Sequence, residues 1–302
     1  MRASLLSLLD GLIDYAGLFP PAKLEMAEAV DHYLRYVQGP DSWFVGRFVC
    51  SSTRLPELVA VLEKIPAAPE IPIAVIGKPN ENLDGWYEAL EHDALAMNEF
   101  VKSVGTRAGL EAYEVRVPGH ADVETCIKDL RSFQEVDVFV ELPWGDGMDD
   151  SLAALAETEW LAAKARTGGE AASSYPSSAE LAHFIHGSVA LDLSFKLTAG
   201  LHHPLPRTDR ETGARMHGFL NVLAACGFAL AHDMARKELE EVLRTSSIED
   251  WDFDEKKLTW RGLSLSMEDI EDTRDLLWSI GSCSVEEAMS DLDALGLVAG
   301  GK

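Results

Sequence analysis

Basic side chains are scarce in this chain of 302 residues: 26 Lys and Arg stand against 51 Asp and Glu, a formal net charge of -25. Such a surplus repels nucleic acid and anionic membrane surfaces, and no basic cluster offsets it, so neither is expected as a partner. The acidity reads as a solvated surface, and an anionic ligand would need a locally positive pocket. Cysteine is also sparse. Cys50, Cys126, Cys226 and Cys283 show no CxxC spacing, which speaks against a zinc knuckle or a disulfide framework and makes a reducing cytoplasm the default location. The opening MRASLLSLLDGL is broken at Asp10, too early for a secretory signal or a membrane span, and reads as a short helix capping the fold. No GxGxxG follows a strand-like run, so support for a dinucleotide site is missing as well.

What the chain does have is rhythm. With 47% hydrophobic residues it can bury a large core. Apolar runs bounded by turn residues fall at 12–18, 43–49, 71–77, 112–117, 136–142, 160–166, 193–198 and 277–282. Helical patterns separate most of them, at 26–37, 55–64, 83–99, 123–133, 148–157, 178–187 and 285–296, with Ser178 and Ser284 as N-caps. Eight strands alternating with helices predict an α/β fold, a (β/α)8 TIM-type barrel forming one domain over 1–302. The interval after the seventh strand departs from this rhythm. It holds a helical stretch at 214–244 and then an insert at 245–275, in which WDFDEKKLTWRGLSLS, Trp251 to Ser266, alternates like a β-hairpin. That insert would either close over the barrel mouth or serve as a contact in a homo-oligomer. The polar run GGEAASSYPSS at 168–178 reads as a mobile loop.

Barrels of this kind build their sites at the carboxyl ends of the strands. The residues that fall there are polar: Asp14, Arg47, Lys78, Arg116, Glu141, Lys164, Arg166, Thr167, Lys196, Thr198, His202, His203, Ser282 and Cys283. FKLTAGLHHPL, Phe195 to Leu205, sets Lys196 inside an apolar strand and two histidines just past its end. A strand alternates its faces, so Glu114 shares one with Arg116, Phe139 with Glu141, and Lys164 with Arg166. If those faces point inward, charges converge. Two neighbouring lysines in dry surroundings would depress each other's pKa and leave an amine able to attack a carbonyl. Cys283, between a strand and a helix start, is a weaker candidate nucleophile whose pKa the helix N-terminus would lower.

AKARTGG, Ala163 to Gly169, resembles the sixth-strand Lys-x-Ser/Thr-Thr-Gly motif of class I deoxyribose-phosphate aldolases, and FKLTAG is similar to their seventh-strand Lys-Ala-Ser-Gly-Gly. WSIGSCS, Trp278 to Ser284, is similar to that family's phosphate-holding Ile-Gly-Thr-Ser-Ser. This resemblance of the last three strands implies a Schiff-base lysine at Lys164, a cationic neighbour at Lys196 and an anion cradle in the backbone around Gly281 and Ser282. Three further stretches, DYAGLFPPA, KLTAGLHHP and GSCSVEEA, resemble landmarks of an uncharacterised group of bacterial barrel proteins.

The expectation is therefore an enzyme acting on a small anionic carbonyl or hydroxy compound by aldolase- or lyase-type chemistry, without a cofactor. Lys164 would be the nucleophile, tuned by Lys196, with Glu141 or His202 exchanging the proton. Arg47, Arg116 and Arg166 would hold a carboxylate or phosphate, with Thr167, Thr198, His203, Gly281 and Ser282 completing the substrate site. One alternative keeps the barrel and makes it a metal-dependent hydrolase or lyase, a divalent metal being held by His202 or His203 with His217 and Glu141. Another is a non-catalytic binding or assembly protein, with Trp251 and Trp260 as its partner surface.

Overall fold

In the computed structural model, residues 1–65, 69–209 and 213–298 are described. Eight parallel strands close into a barrel: β1 (Ile13–Tyr15), β2 (Val45–Ser51), β3 (Ile71–Ile76), β4 (Ala108–Arg116), β5 (Asp137–Glu141), β6 (Leu161–Arg166), β7 (Phe195–Thr198) and, after five intervening short strands, β13 (Leu277–Ser282). β1 pairs with both β2 and β13, which closes the ring. Strands buried on both faces need no polar alternation, which is why each is written as a nearly continuous apolar run. The outward residues pack on a ring of helices. They are α1 (Ala3–Leu9), α2 (Met26–Gln38), α3 (Leu55–Leu62), α4 (Leu83–Val104), α5 (Val123–Asp129), α6 (Met148–Ala156), α7 (Ser178–Ala190), α8 (Phe219–His232), α9 (Arg236–Arg244), α10 (Met267–Leu276) and α11 (Glu286–Ala294). Among the described residues no helix is long and apolar enough to cross a membrane.

The inward faces carry a small separate core of Val49, Ala74, Ala112, Phe139 and Ala162. Because three of these five are alanines, the barrel axis has room for long side chains above and below them.

Two local expectations shift. The helical stretch at 214–244 is two helices, because Asp233 takes a left-handed conformation (φ 51, ψ 41) that ends α8 before α9 starts. α7 is capped by Ser177, not Ser178: Ser177 Oγ accepts the Glu180 N–H at 3.2 Å, and the Glu180 carboxylate accepts the Ser177 N–H at 2.7 Å. Ser177→Ala should therefore cost about 1 kcal/mol, read as a lower urea midpoint with an unchanged m-value. A stability change within experimental error would deny the cap.

Between β7 and β13, β8 (Arg207–Thr208) and β9 (Arg215–Met216) form a small hairpin, and the insert forms a three-stranded antiparallel sheet of β10 (Trp251–Phe253), β11 (Lys257–Trp260) and β12 (Leu263–Ser266). The sheet is thus a meander rather than a single hairpin. It lies against α1, α8 and α10, on the outside of the barrel, and does not close the mouth. Its tryptophans face the protein. Trp251 is 7% and Trp260 4% exposed, and Trp260 Nε1 donates to Thr245 Oγ1 at 3.0 Å, so they offer no apolar partner surface. α8 approaches this sheet closely because Gly227 has no side chain; a Cβ there would stand 2.5 Å from Leu265 Cδ1 and 2.6 Å from Thr273 Oγ1.

Candidate active site

The register places one row of charged residues around half of the barrel. Arg116 on β4 lies opposite Glu141 on β5, Glu141 opposite Lys164 on β6, and Lys164 opposite Lys196 on β7. Inward orientation then brings in residues from neighbouring levels. Lys164 Nζ pairs with Glu114 Oε2 at 2.8 Å and with Glu141 Oε2 at 2.9 Å. Lys196 Nζ donates to the other Glu114 oxygen at 2.6 Å and to Asp14 Oδ2 at 2.5 Å, and lies 5.1 Å from the Phe139 ring centroid. Asp14 also accepts from Ser279 Oγ at 2.7 Å and from the Arg47 N–H at 3.0 Å. Asp14, Lys196, Glu114, Lys164 and Glu141 thus form one unbroken chain of alternating charge.

Burying five charges is costly unless each has partners, and the pairing decides their protonation. Burial works against the Glu114 carboxylate, but the two ammonium groups outweigh it and hold its pKa down to about 2. Lys164 moves the opposite way from expectation. Burial alone would lower its pKa, yet Glu114 and Glu141 more than compensate and raise it, so the resting side chain is a firmly held ammonium rather than a free amine. Lys196 does not leave Lys164 a neutral amine, because Glu114 stands between the two ammonium groups. Glu141 is likewise held below the usual carboxylate range: burial opposes this, and Lys164, with Arg166 and Arg116 behind it, prevails.

This network opens into a cavity of about 290 Å³ at the carboxyl ends of the strands. Lys164, Glu114 and Glu141 lie at its floor, Phe19, Val49 and Ile76 form an apolar wall, and Lys78, Arg116, Arg166, Thr198, His202 and Gly281 also line it. The Lys78 loop is fixed by Asp93 of α4, fully buried, which accepts the Lys78 N–H at 3.0 Å and the Tyr113 hydroxyl at 2.7 Å. Behind Thr198 the β6 and β7 loops touch: Thr167 Oγ1 donates to Ala199 O at 2.5 Å, and Gly200 (φ 77) takes a left-handed turn where a Cβ would stand 2.7 Å from Thr167 O. Thr167 is therefore a brace between loops.

Several expected site residues lie elsewhere. Arg47 sits at the amino-terminal end of the barrel, where its guanidinium pairs with Glu111 Oε2 at 3.0 Å and Asp137 Oδ2 at 2.9 Å. It lines a wider cleft of about 770 Å³ at that end, because its early position in β2 directs it away from the mouth. His203 faces outward to α11, with Nδ1 2.6 Å from Asp291 Oδ2. Ser282 turns its hydroxyl to Ser284 O at 3.1 Å, and the Ser284 N–H points back at Ser282 Oγ. The Gly281–Ser282 backbone is a poor anion cradle, since Glu286 and Glu287 open the following helix with negative charge. Ser284 Oγ accepts the Glu287 N–H at 3.1 Å, the capping bond expected of it at the start of that helix. Cys283 stands with its Sγ 3.9 Å from His202 Nδ1, but burial raises its pKa, so the helix start does not make it a thiolate.

The alternative metal ligands do not converge. His217 is buried with Nε2 2.8 Å from Pro176 O, His202 faces Ser282 and Cys283, and Glu141 is taken by Lys164. Among the described residues no group of three or more His, Cys, Asp or Glu stands ready to hold a metal ion.

No family model and no curated protein matches this chain. A solved structure described as a monomeric dihydrodipicolinate synthase variant is similar, at 12% identity, covering 78% of this chain and 79% of that one with a TM-score of 0.40.

Proposed function

We propose that the barrel mouth is the active site of an enzyme that takes a small anionic carbonyl or hydroxy compound through aldolase- or lyase-type chemistry, with Lys164 forming a Schiff base. The position of the Lys164 amine carries this reading: it lies at the floor of the mouth cavity, 2.9 Å from Glu141, in a pocket flanked by Arg116 and Arg166. The resemblance of AKARTGG to the aldolase motif implies the same lysine.

The ammonium must first lose a proton, and Glu141, with its side chain still 12% exposed, is the carboxylate nearest the opening. Proton transfer to Glu141 frees the amine, which adds to the substrate carbonyl to give a carbinolamine. Glu141 then returns the proton to the carbinolamine oxygen, water leaves, and the nitrogen keeps a positive charge as the iminium. Charge is conserved, so Glu114 and Lys196 keep their partners throughout. His202, whose pKa burial lowers despite Glu287, is a neutral imidazole at neutral pH and lines the same cavity. It serves as acceptor for a proton from the carbon beside the imine.

Borohydride added with a panel of keto acids and sugar phosphates should leave a reduced adduct on Lys164, located by peptide mass spectrometry and absent from Lys164→Met. An unmodified protein across the whole panel would overturn the imine.

The raised pKa of Lys164 favours a second reading, in which the ammonium stays charged and stabilises a developing enolate while Glu141 takes the proton. Lys164→Arg separates the two. It keeps the charge but cannot form the imine, so only the second reading predicts residual turnover.

A further inference from the structure

The mouth holds more positive charge than its own carboxylates neutralise. Lys164 and Lys196 are spent on Asp14, Glu114 and Glu141. Lys78, Arg116 and Arg166 line the same cavity, and among the described residues none of them forms an ion pair. In a chain with 51 acidic residues against 26 basic ones, carboxylate partners are plentiful elsewhere. In the cavity lining, two carboxylates, Glu114 and Glu141, face four cations, Lys78, Arg116, Lys164 and Arg166, a surplus of two positive charges that a doubly charged anion would neutralise.

The space is divided in a matching way. Past Glu141 the inner cavity continues into an outer chamber of about 670 Å³ that shares Pro20, Arg116, Glu141 and Arg166 with it and adds Trp144 and Glu170, the latter neutralised by Lys23 at 2.7 Å. Arg116 stands on β4 and Arg166 on β6, with β5 between them, so their backbones are roughly 10 Å apart. Arg166 Nε is tied to Gly168 O at 2.9 Å, which holds its guanidinium over its own loop rather than beside Arg116. Two guanidinium forks on separate mounts suit two separate carboxylates better than one phosphate.

We propose that the ligand of this mouth is a small oxo-dicarboxylate, with its carbonyl at Lys164, one carboxylate on Arg116 and the other on Arg166 at the entrance to the outer chamber. This rests on the reading of Lys164 above only for the carbonyl; the two carboxylate positions stand on the arginines. Calorimetric titration of the full chain with 2-oxoglutarate, pyruvate, glutarate and dihydroxyacetone phosphate, run beside borohydride trapping, tests it. We expect 2-oxoglutarate to bind at least tenfold more tightly than pyruvate, and glutarate, which has no carbonyl, to bind as well. Arg116→Gln and Arg166→Gln, at exposed positions that should not disturb folding, should each weaken 2-oxoglutarate and glutarate about tenfold. Pyruvate should feel only one of them.

Equal affinity for pyruvate and 2-oxoglutarate, or indifference to both arginine variants, overturns the proposal. So does arginine-dependent binding of dihydroxyacetone phosphate with 2-oxoglutarate excluded, which would move the second charge onto a phosphate. The two readings fail separately. Arginine-dependent glutarate binding with no borohydride adduct removes the imine and keeps the dicarboxylate site, whereas an adduct with pyruvate that ignores both arginines does the reverse.

Discussion

Lys196→Met should lower the stability of the protein by about 3–5 kcal/mol, the cost of leaving buried charges without their partner. Lys196 is fully buried, and its ammonium is shared between Asp14 and Glu114. Methionine fills a similar volume, so little of the loss comes from a cavity. Asp14 would be left with one hydroxyl and one peptide N–H, and Glu114 with Lys164 alone. Against a total of roughly 5–15 kcal/mol for a folded domain this is a large fraction, visible as a fall in the urea midpoint. Adding Asp14→Asn to Lys196→Met should recover part of it, since one orphaned charge goes with it. A single variant within about 1 kcal/mol of the parent, the net worth of one ordinary hydrogen bond, would mean the network does not hold.

Acid should act on the same network. Glu114 has a folded pKa of about 2, below its unfolded value of about 4.3. Its contribution is therefore complete above the unfolded value and lost as pH falls toward 2. Lys164, raised in the folded state, contributes fully below its unfolded pKa of about 10.4 and loses that contribution as pH rises through the folded value.

That raised pKa also sets the second large effect. Adduct formation at Lys164 should accelerate as pH climbs through the alkaline range, because only the deprotonated amine attacks. Glu141→Gln removes one of the two carboxylates that hold the ammonium. The pH profile should then shift to lower pH, while the maximal rate drops about 10²–10⁴-fold for want of the proton acceptor. Cyanoborohydride trapping rates measured across pH for both proteins would check it. A slower variant with an unmoved profile would make Glu141 a bystander to the lysine's charge.

All eight barrel strands were legible because parallel strands covered on both faces must be apolar throughout, and such runs are visible locally. Alternation likewise identified which side chains share a face with Lys164, Glu141 and Arg116. What local reading missed was pairing. Asp14 holds Lys196 from 182 residues away, and Glu114 reaches both lysines only once strands four to seven stand in one sheet. Nothing near Lys196 in the chain announces those acids, so its apolar neighbours describe dry surroundings where the fold supplies ionic ones. An acid embedded in an apolar run, as in LIDYAGL and AYEVRV, was the signal that such a partner was needed. Arg47 failed for a related reason: its level along the barrel axis depends on the stagger between strands, which periodicity does not contain.

The pairing of Asp14 with Lys196 has a consequence for how the protein is made. β1 and β13 come from opposite ends of the chain and must zip together before Asp14 can reach across to β7. The Asp14–Lys196 link is therefore absent from any fragment or nascent chain that lacks its last strand, and the full chain of charges comes into being only with the final closure of the ring.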